Sequence, residues 1–148
     1  MKILFVCTGN TCRSCMAEAI AKNEAKIRGV DVEFSSAGIF ALKGVAASEN
    51  AQKVMKEMEL DLSCHSATPL SEELLEEADL VLTMTLAHKH SILSVYPSFS
   101  SKIYTLKEYI GESGDIQDPF GGNVEVYRAC AGELKRVIDR LFSKLKES

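Results

Sequence analysis

Cys7 and Arg13 frame the segment Cys7-Thr8-Gly9-Asn10-Thr11-Cys12-Arg13-Ser14, with five residues between the thiol and the guanidinium. A tight curl of that chain can surround one phosphate. Successive N–H groups point inward as a nest, a following helix adds partial positive charge, and the guanidinium offers two parallel donors. A tetrahedral dianion fits such a cage. The same field favours the thiolate of Cys7, which is the nucleophilic form of cysteine.

The spacing alone is a weak signal, because five cysteines and five arginines in 148 residues make about 0.17 such pairs by chance. Cys130 and Arg136 repeat it. That second pair lies in an amphipathic stretch where Tyr127, Cys130, Leu134, Val137, Ile138, Leu141 and Leu145 recur at spacings of three and four. Six helical residues set two side chains about 240° apart and about 9 Å along the axis, so Cys130 and Arg136 cannot meet on one ligand. Cys7 instead ends an apolar run, Gly9 and Asn10 tolerate unusual backbone angles, and Arg13-Ser14 opens a helical pattern.

The elements that must position this loop follow a β-α order. Lys2 to Val6 reads as a buried parallel strand, and ligands gather at the C-terminal ends of such strands. Ser14 to Arg28 reads as a helix with Ser14 as its cap, Met16, Ile20 and Ile27 on its apolar stripe, and Gly29 as its stop. Asp31 to Ser36 alternates as a second strand, a helix follows near residues 47 to 58, and Asp79 to Met84 is a third strand. A helix near residues 86 to 95, a strand at Lys102 to Tyr104 and the long last helix complete the pattern. Strands alternating with helices imply a four-stranded parallel sheet, doubly wound as a three-layer α/β sandwich. No repeat or linker divides residues 1–148, so a single domain is expected.

Composition narrows the function. Seventeen basic and 21 acidic residues leave a net charge of -4, which provides no broad attraction for nucleic acid or anionic lipid. The 46% hydrophobic and 26% charged fractions are those of a soluble globular chain. Ile3 to Val6 is too short for a signal-peptide core or a membrane span, so the cytoplasm is the expected compartment. Five cysteines, three of them within residues 7 to 15, do not form a secreted disulfide framework. A zinc or iron–sulfur site built from Cys7, Cys12 and Cys15 with Cys64 or Cys130 is the competing use, but paired C-x-x-C units are missing.

The N-terminal signature together with Asp118-Pro119-Phe120 resembles the low-molecular-weight protein tyrosine phosphatase family over essentially the whole chain. That resemblance implies metal-free, cofactor-free hydrolysis through a phosphocysteine intermediate, with phosphorylated proteins as substrates, inorganic phosphate as product and a monomeric enzyme. It implies Cys7 as nucleophile, Arg13 with the amides of Thr8, Gly9, Asn10, Thr11 and Cys12 as the phosphate clamp, and Ser14 as donor to the thiolate. Asp118 would protonate the leaving group and then activate water. Without the family, Asp118 is equally a turn residue before Pro119. Asn10, Ser36 and His65 correspond to a hydrogen-bonded support beneath the loop, and Phe40 and Phe120 to aromatic walls of the substrate cleft.

Within the family, Cys12 matches a cysteine that pairs reversibly with the nucleophile. Most relatives carry proline after Arg-Ser, where this chain has Cys15, a third thiol that leaves the pairing partner open. Thr11 stands where the tyrosine-specific branch usually has Ile or Leu. The Gly-Asn-Thr-Cys-Arg-Ser form with Asp-Pro-Phe-Gly-Gly resembles the bacterial branch that dephosphorylates phosphoarginine, with Thr11 against the guanidinium and Asp118 able to pair with it. Phosphotyrosine stays open as the alternative. Arsenate reduction on the same scaffold needs redox cysteines that residues 80 to 95 lack, and a non-catalytic phosphate-binding module would have no use for Cys7 and Asp118 together.

Overall fold

The computed structural model describes residues 1–147. Four parallel strands, β1 (Lys2–Cys7), β2 (Glu33–Gly38), β3 (Leu80–Thr83) and β4 (Ile103–Thr105), lie in the order β2-β1-β3-β4. The first strand is therefore central. Lys2 to Cys7 pair with Glu33 to Gly38 on one side, and Ile3 to Val6 pair with Leu80 to Thr83 on the other.

A strand covered on both faces needs apolar side chains at successive positions. Ile3, Phe5 and Cys7 point into one buried cluster and Leu4 and Val6 into another. The first face is covered by α1 (Arg13–Arg28), α2 (Glu49–Glu57), the short α5 (Leu106–Tyr109) and the long α6 (Val124–Glu147). The second is covered by α3 (Glu72–Glu77) and α4 (Leu86–Val95), which bury Leu75 and Ile92. A 3-10 turn over Pro97–Lys102 leads into β4.

Two aromatic contacts fasten the larger face. Phe5 stacks on Phe34 with ring centres 5.7 Å apart, and Phe34 meets Phe142 of α6 at the same distance. Arg28, at the end of α1, lies over the Phe142 ring and pairs with Asp139. The helix that opens at the phosphate loop is thereby clamped at its far end.

Two details of α1 differ from what the sequence suggests. Ser14 is not its cap: Cys12 holds that position and no side chain caps the helix, because the Ser14 hydroxyl is occupied by Cys7 and Asn10. Ile27 is exposed, since α1 meets α6 through a narrower stripe of Met16, Ile20, Ala21 and Ala25. An uncapped first turn with no acidic residue leaves its amides available to an anion.

Candidate active site

The loop between β1 and α1 starts where the central strand ends, flanked by its two neighbours. Asn10 has a φ of 59°, a left-handed conformation that asparagine tolerates better than most residues, and it bends the chain back towards Cys7. Its amide donates to Cys7 Sγ at 3.3 Å. Ser14 Oγ is 2.8 Å from the same sulfur.

Asn10 is completely buried and its side chain holds the loop from behind. Nδ2 donates to Ser14 Oγ at 2.8 Å and to Ser36 Oγ at 2.9 Å, while Oδ1 accepts from the amide of Thr68 at 3.0 Å. His65 Nε2 lies 2.7 Å from the Asn10 carbonyl, and Ser36 donates onward to Glu18. The side-chain amide is thus fully engaged, as a buried polar group must be.

β2 approaches closely at Gly38. A Cβ there would sit 2.6 Å from the Thr8 carbonyl and 2.9 Å from the Asn10 amide, so only glycine fits without displacing the loop. The adjoining chain adds two bonds, from the Ile39 amide to the Cys7 carbonyl at 3.0 Å and from the Phe40 amide to the Thr8 carbonyl at 2.9 Å.

Arg13 is 5% exposed. One terminal nitrogen donates to the Ile116 carbonyl at 3.0 Å, and the other faces Asp118 Oδ2 at 3.6 Å. Ile116 is itself held by a bond from its amide to the Met84 carbonyl. Asp118 is 53% exposed, and its Oδ1 accepts from the Phe120 amide at 3.0 Å. The turn role and the place beside the arginine coexist in one carboxylate.

These parts enclose a cleft of about 270 Å³ lined by Cys7, Thr8, Gly9, Thr11, Cys12, Arg13, Asp118 and Phe120. Phe120 is exposed at its rim. Phe40 is also exposed but does not line this cleft, and its link to the loop runs through its backbone. Asn10 and Ser14 sit behind the loop.

The three neighbouring thiols differ in placement. Cys12 lines the cleft, with Tyr127 Oη at 3.3 Å and Ser48 Oγ at 3.5 Å from its sulfur. Cys15 faces the opposite side, where its thiol donates to the Cys12 carbonyl at 3.3 Å and burial pushes its pKa well up. Among the described residues no group of three or more His, Cys, Asp or Glu is arranged to hold a metal ion.

Two participants have contacts that the sequence pattern does not signal. His88, early in α4, places Nε2 at 2.8 Å from Thr8 Oγ1. Burial, followed by the charge of Arg13, pushes its pKa down to about 4, so it is neutral at physiological pH. Tyr127 is legible as a core residue of the last helix, but not as the partner of Cys12, which also helps raise its pKa to about 12 behind the larger effect of burial. A cysteine thiol, a buried arginine and a carboxyl group around one cleft have the chemistry to bind a phosphoryl group, accept it and protonate what leaves.

The model of the low molecular weight phosphotyrosine protein phosphatase family matches residues 2–148. The chain belongs to this family of protein phosphatases. It is 45% identical to a protein-arginine-phosphatase of Bacillus subtilis over 148 residues, covering 99% of this chain and 98% of that one. A low molecular weight protein tyrosine phosphatase from T. tengcongensis superposes with a TM-score of 0.95 at 50% identity, covering 97% of this chain and 99% of that one. A mutant of the YwlE arginine phosphatase with a phosphorylated active-site serine superposes with a TM-score of 0.97 at 44% identity, covering 100% of this chain and 97% of that one. Family membership accounts for the four-stranded parallel sheet and for the loop after its first strand. Among the described residues no helix is long and apolar enough to cross a membrane.

Proposed function

We propose that this chain is a cysteine-dependent protein phosphatase that hydrolyses phosphoarginine or phosphotyrosine in proteins, with phosphoarginine slightly favoured. The observation that carries the reading is that Cys7, Arg13 and Asp118 share one cleft, with two hydrogen-bonding groups already aimed at the sulfur.

Cys7 Sγ attacks phosphorus in line, forming an S–P bond as the bond to the leaving nitrogen or oxygen breaks. The leaving atom takes a proton from Asp118. Loop amides and Arg13 hold the three equatorial oxygens as their charge shifts. In the second half Asp118, now ionised, accepts a proton from water, whose oxygen displaces the thiolate and releases inorganic phosphate. No step needs a metal or a cofactor. A mutant relative that carries phosphate on its active-site serine supports the phosphocysteine.

Thr11 lines the cleft and supports the phosphoarginine preference. Its hydroxyl can accept from a guanidinium N–H, which an aliphatic side chain cannot do, and a carboxyl oxygen of Asp118 can accept from another while its proton goes to the leaving nitrogen. Phosphotyrosine is the second reading, supported by the exposed ring of Phe120 at the rim. The net charge of -4 supports a protein substrate rather than nucleic acid, and we place the enzyme in the cytoplasm as a monomeric single domain. Cys12, which shares the cleft with Cys7 while Cys15 faces away, is the better placed redox partner.

Rapid-quench mass spectrometry should find phosphate on Cys7 during turnover, and Cys7→Ser should abolish hydrolysis. Undiminished hydrolysis by that variant ends the proposal. Ratios of kcat/KM on matched phosphoarginine and phosphotyrosine peptides decide the substrate, and a large excess for phosphotyrosine removes the arginine preference.

A further inference from the structure

Thr8 Oγ1 and His88 Nε2 meet at 2.8 Å across 80 residues of sequence. His88 is 8% exposed, and its Nδ1 is enclosed without a hydrogen-bond partner. A neutral imidazole carries one hydrogen, and its position decides what Thr8 can offer the cleft.

With the hydrogen on Nδ1, a buried donor is orphaned and Nε2 consumes the threonine hydrogen. With the hydrogen on Nε2, the ring donates to Thr8 and only a lone pair of Nδ1 goes unused. Orphaned buried N–H groups are rarer than under-used acceptors, and leaving one costs its full desolvation. The second arrangement is favoured.

We propose that His88 is a positioning residue whose Nε2–H donates to Thr8 Oγ1, leaving the threonine hydroxyl hydrogen free to donate to a phosphoryl oxygen in the cleft. This rests on the reading of the Cys7 loop as a phosphate site. It gives the clamp a side-chain donor beyond its amides and Arg13.

The fold fixes both partners. Thr8 lines the cleft and its carbonyl is held by the Phe40 amide. His88 belongs to the first turn of α4, where its amide donates to Thr85 Oγ1 at 3.1 Å. The end of β3 is tied to β1 by a bond from the Met84 amide to the Val6 carbonyl at 2.9 Å. A ring carried on β3-α4 thereby braces a hydroxyl carried on β1-α1.

Nitrogen-15 NMR of histidine-labelled enzyme at pH 7, without substrate, should show His88 protonated on Nε2. A kinetic cycle on para-nitrophenyl phosphate, with the inhibition constant of inorganic phosphate read alongside, tests the consequence. Thr8→Val and His88→Leu should each lower kcat/KM and phosphate affinity about tenfold. The double variant should be no worse than either single one, and His88→Gln, which restores an N–H donor, should recover most of the loss. A hydrogen on Nδ1, or losses that multiply in the double variant, would overturn the proposal. Failure of the wild-type enzyme to hydrolyse the ester or bind phosphate would sink the phosphatase reading instead, whereas the NMR spectrum, recorded without substrate, tests the tautomer independently of it.

Discussion

Ser14 Oγ lies 2.8 Å from Cys7 Sγ and accepts a hydrogen bond from Asn10 Nδ2 at the same distance. The Asn10 amide takes one lone pair of that oxygen, so the hydroxyl hydrogen can turn to the sulfur. We expect Ser14 to donate to Cys7 Sγ when the sulfur acts as a nucleophile.

Ser14→Ala should therefore slow alkylation of Cys7 by iodoacetamide at neutral pH and lower the rate of phosphoryl transfer. A hydrogen bond to a charged group contributes about 1.5–3 kcal/mol, or roughly 10- to 100-fold in rate. Asn10→Ala should move the same two readouts in the same direction, since it frees the hydroxyl to turn away. Unchanged alkylation in both variants would show that the network does not act on the sulfur.

Asp118→Asn keeps an acceptor for the Phe120 amide but has no proton to give. We expect kcat to fall by about 10²–10⁴ on phosphopeptides. With an activated aryl phosphate, whose leaving group needs no proton, the pre-steady-state burst should stay near the wild-type rate while the steady state is slow. An equally slowed burst would assign Asp118 to the turn alone.

Gly38→Ala places a methyl group against the Thr8 carbonyl and the Asn10 amide. Overpacking of this kind costs about 1–3 kcal/mol of stability. Two of the three atoms it would meet belong to the phosphate loop, the third being Ala41 Cβ, so inhibition by inorganic phosphate should weaken well beyond what the change in Tm accounts for. Full phosphate affinity in a folded G38A protein would contradict the close approach.

His88 makes stability depend on pH. Its folded pKa of about 4 lies below the value near 6.5 of an unfolded chain, so the unfolded state binds the extra proton first as pH falls. The contribution is fully present above pH 6.5 and is lost towards pH 4, with a magnitude on the order of 3 kcal/mol. Urea unfolding at pH 7, 5.5 and 4.5 should show a steeper loss for the wild type than for His88→Gln. Parallel slopes would refute it.

Much of the scaffold is legible in the sequence because it is periodic or punctuated. The bounds of α4 and the start of β1 follow directly from apolar runs and their flanks. The helices Glu72–Glu77 and Leu106–Tyr109 leave no such trace, since six and four residues are too short to display a helical period. Ser14 looks like a cap because local chemistry offers it that role, whereas the fold gives it another. Asn10 reaches partners 26 and 58 residues away, and His88 reaches Thr8 over a still longer separation. No spacing rule encodes such meetings, which exist only once three strands lie side by side.

The central position of β1 has a consequence for synthesis. The strand bearing the thiol leaves the ribosome before its neighbours: one flanking strand arrives some thirty residues later, the other near residue 80, and the carboxyl group only near residue 118. A growing chain thus carries an exposed sulfhydryl long before it owns the means to use it, and competence waits on a carboxyl group more than a hundred residues downstream.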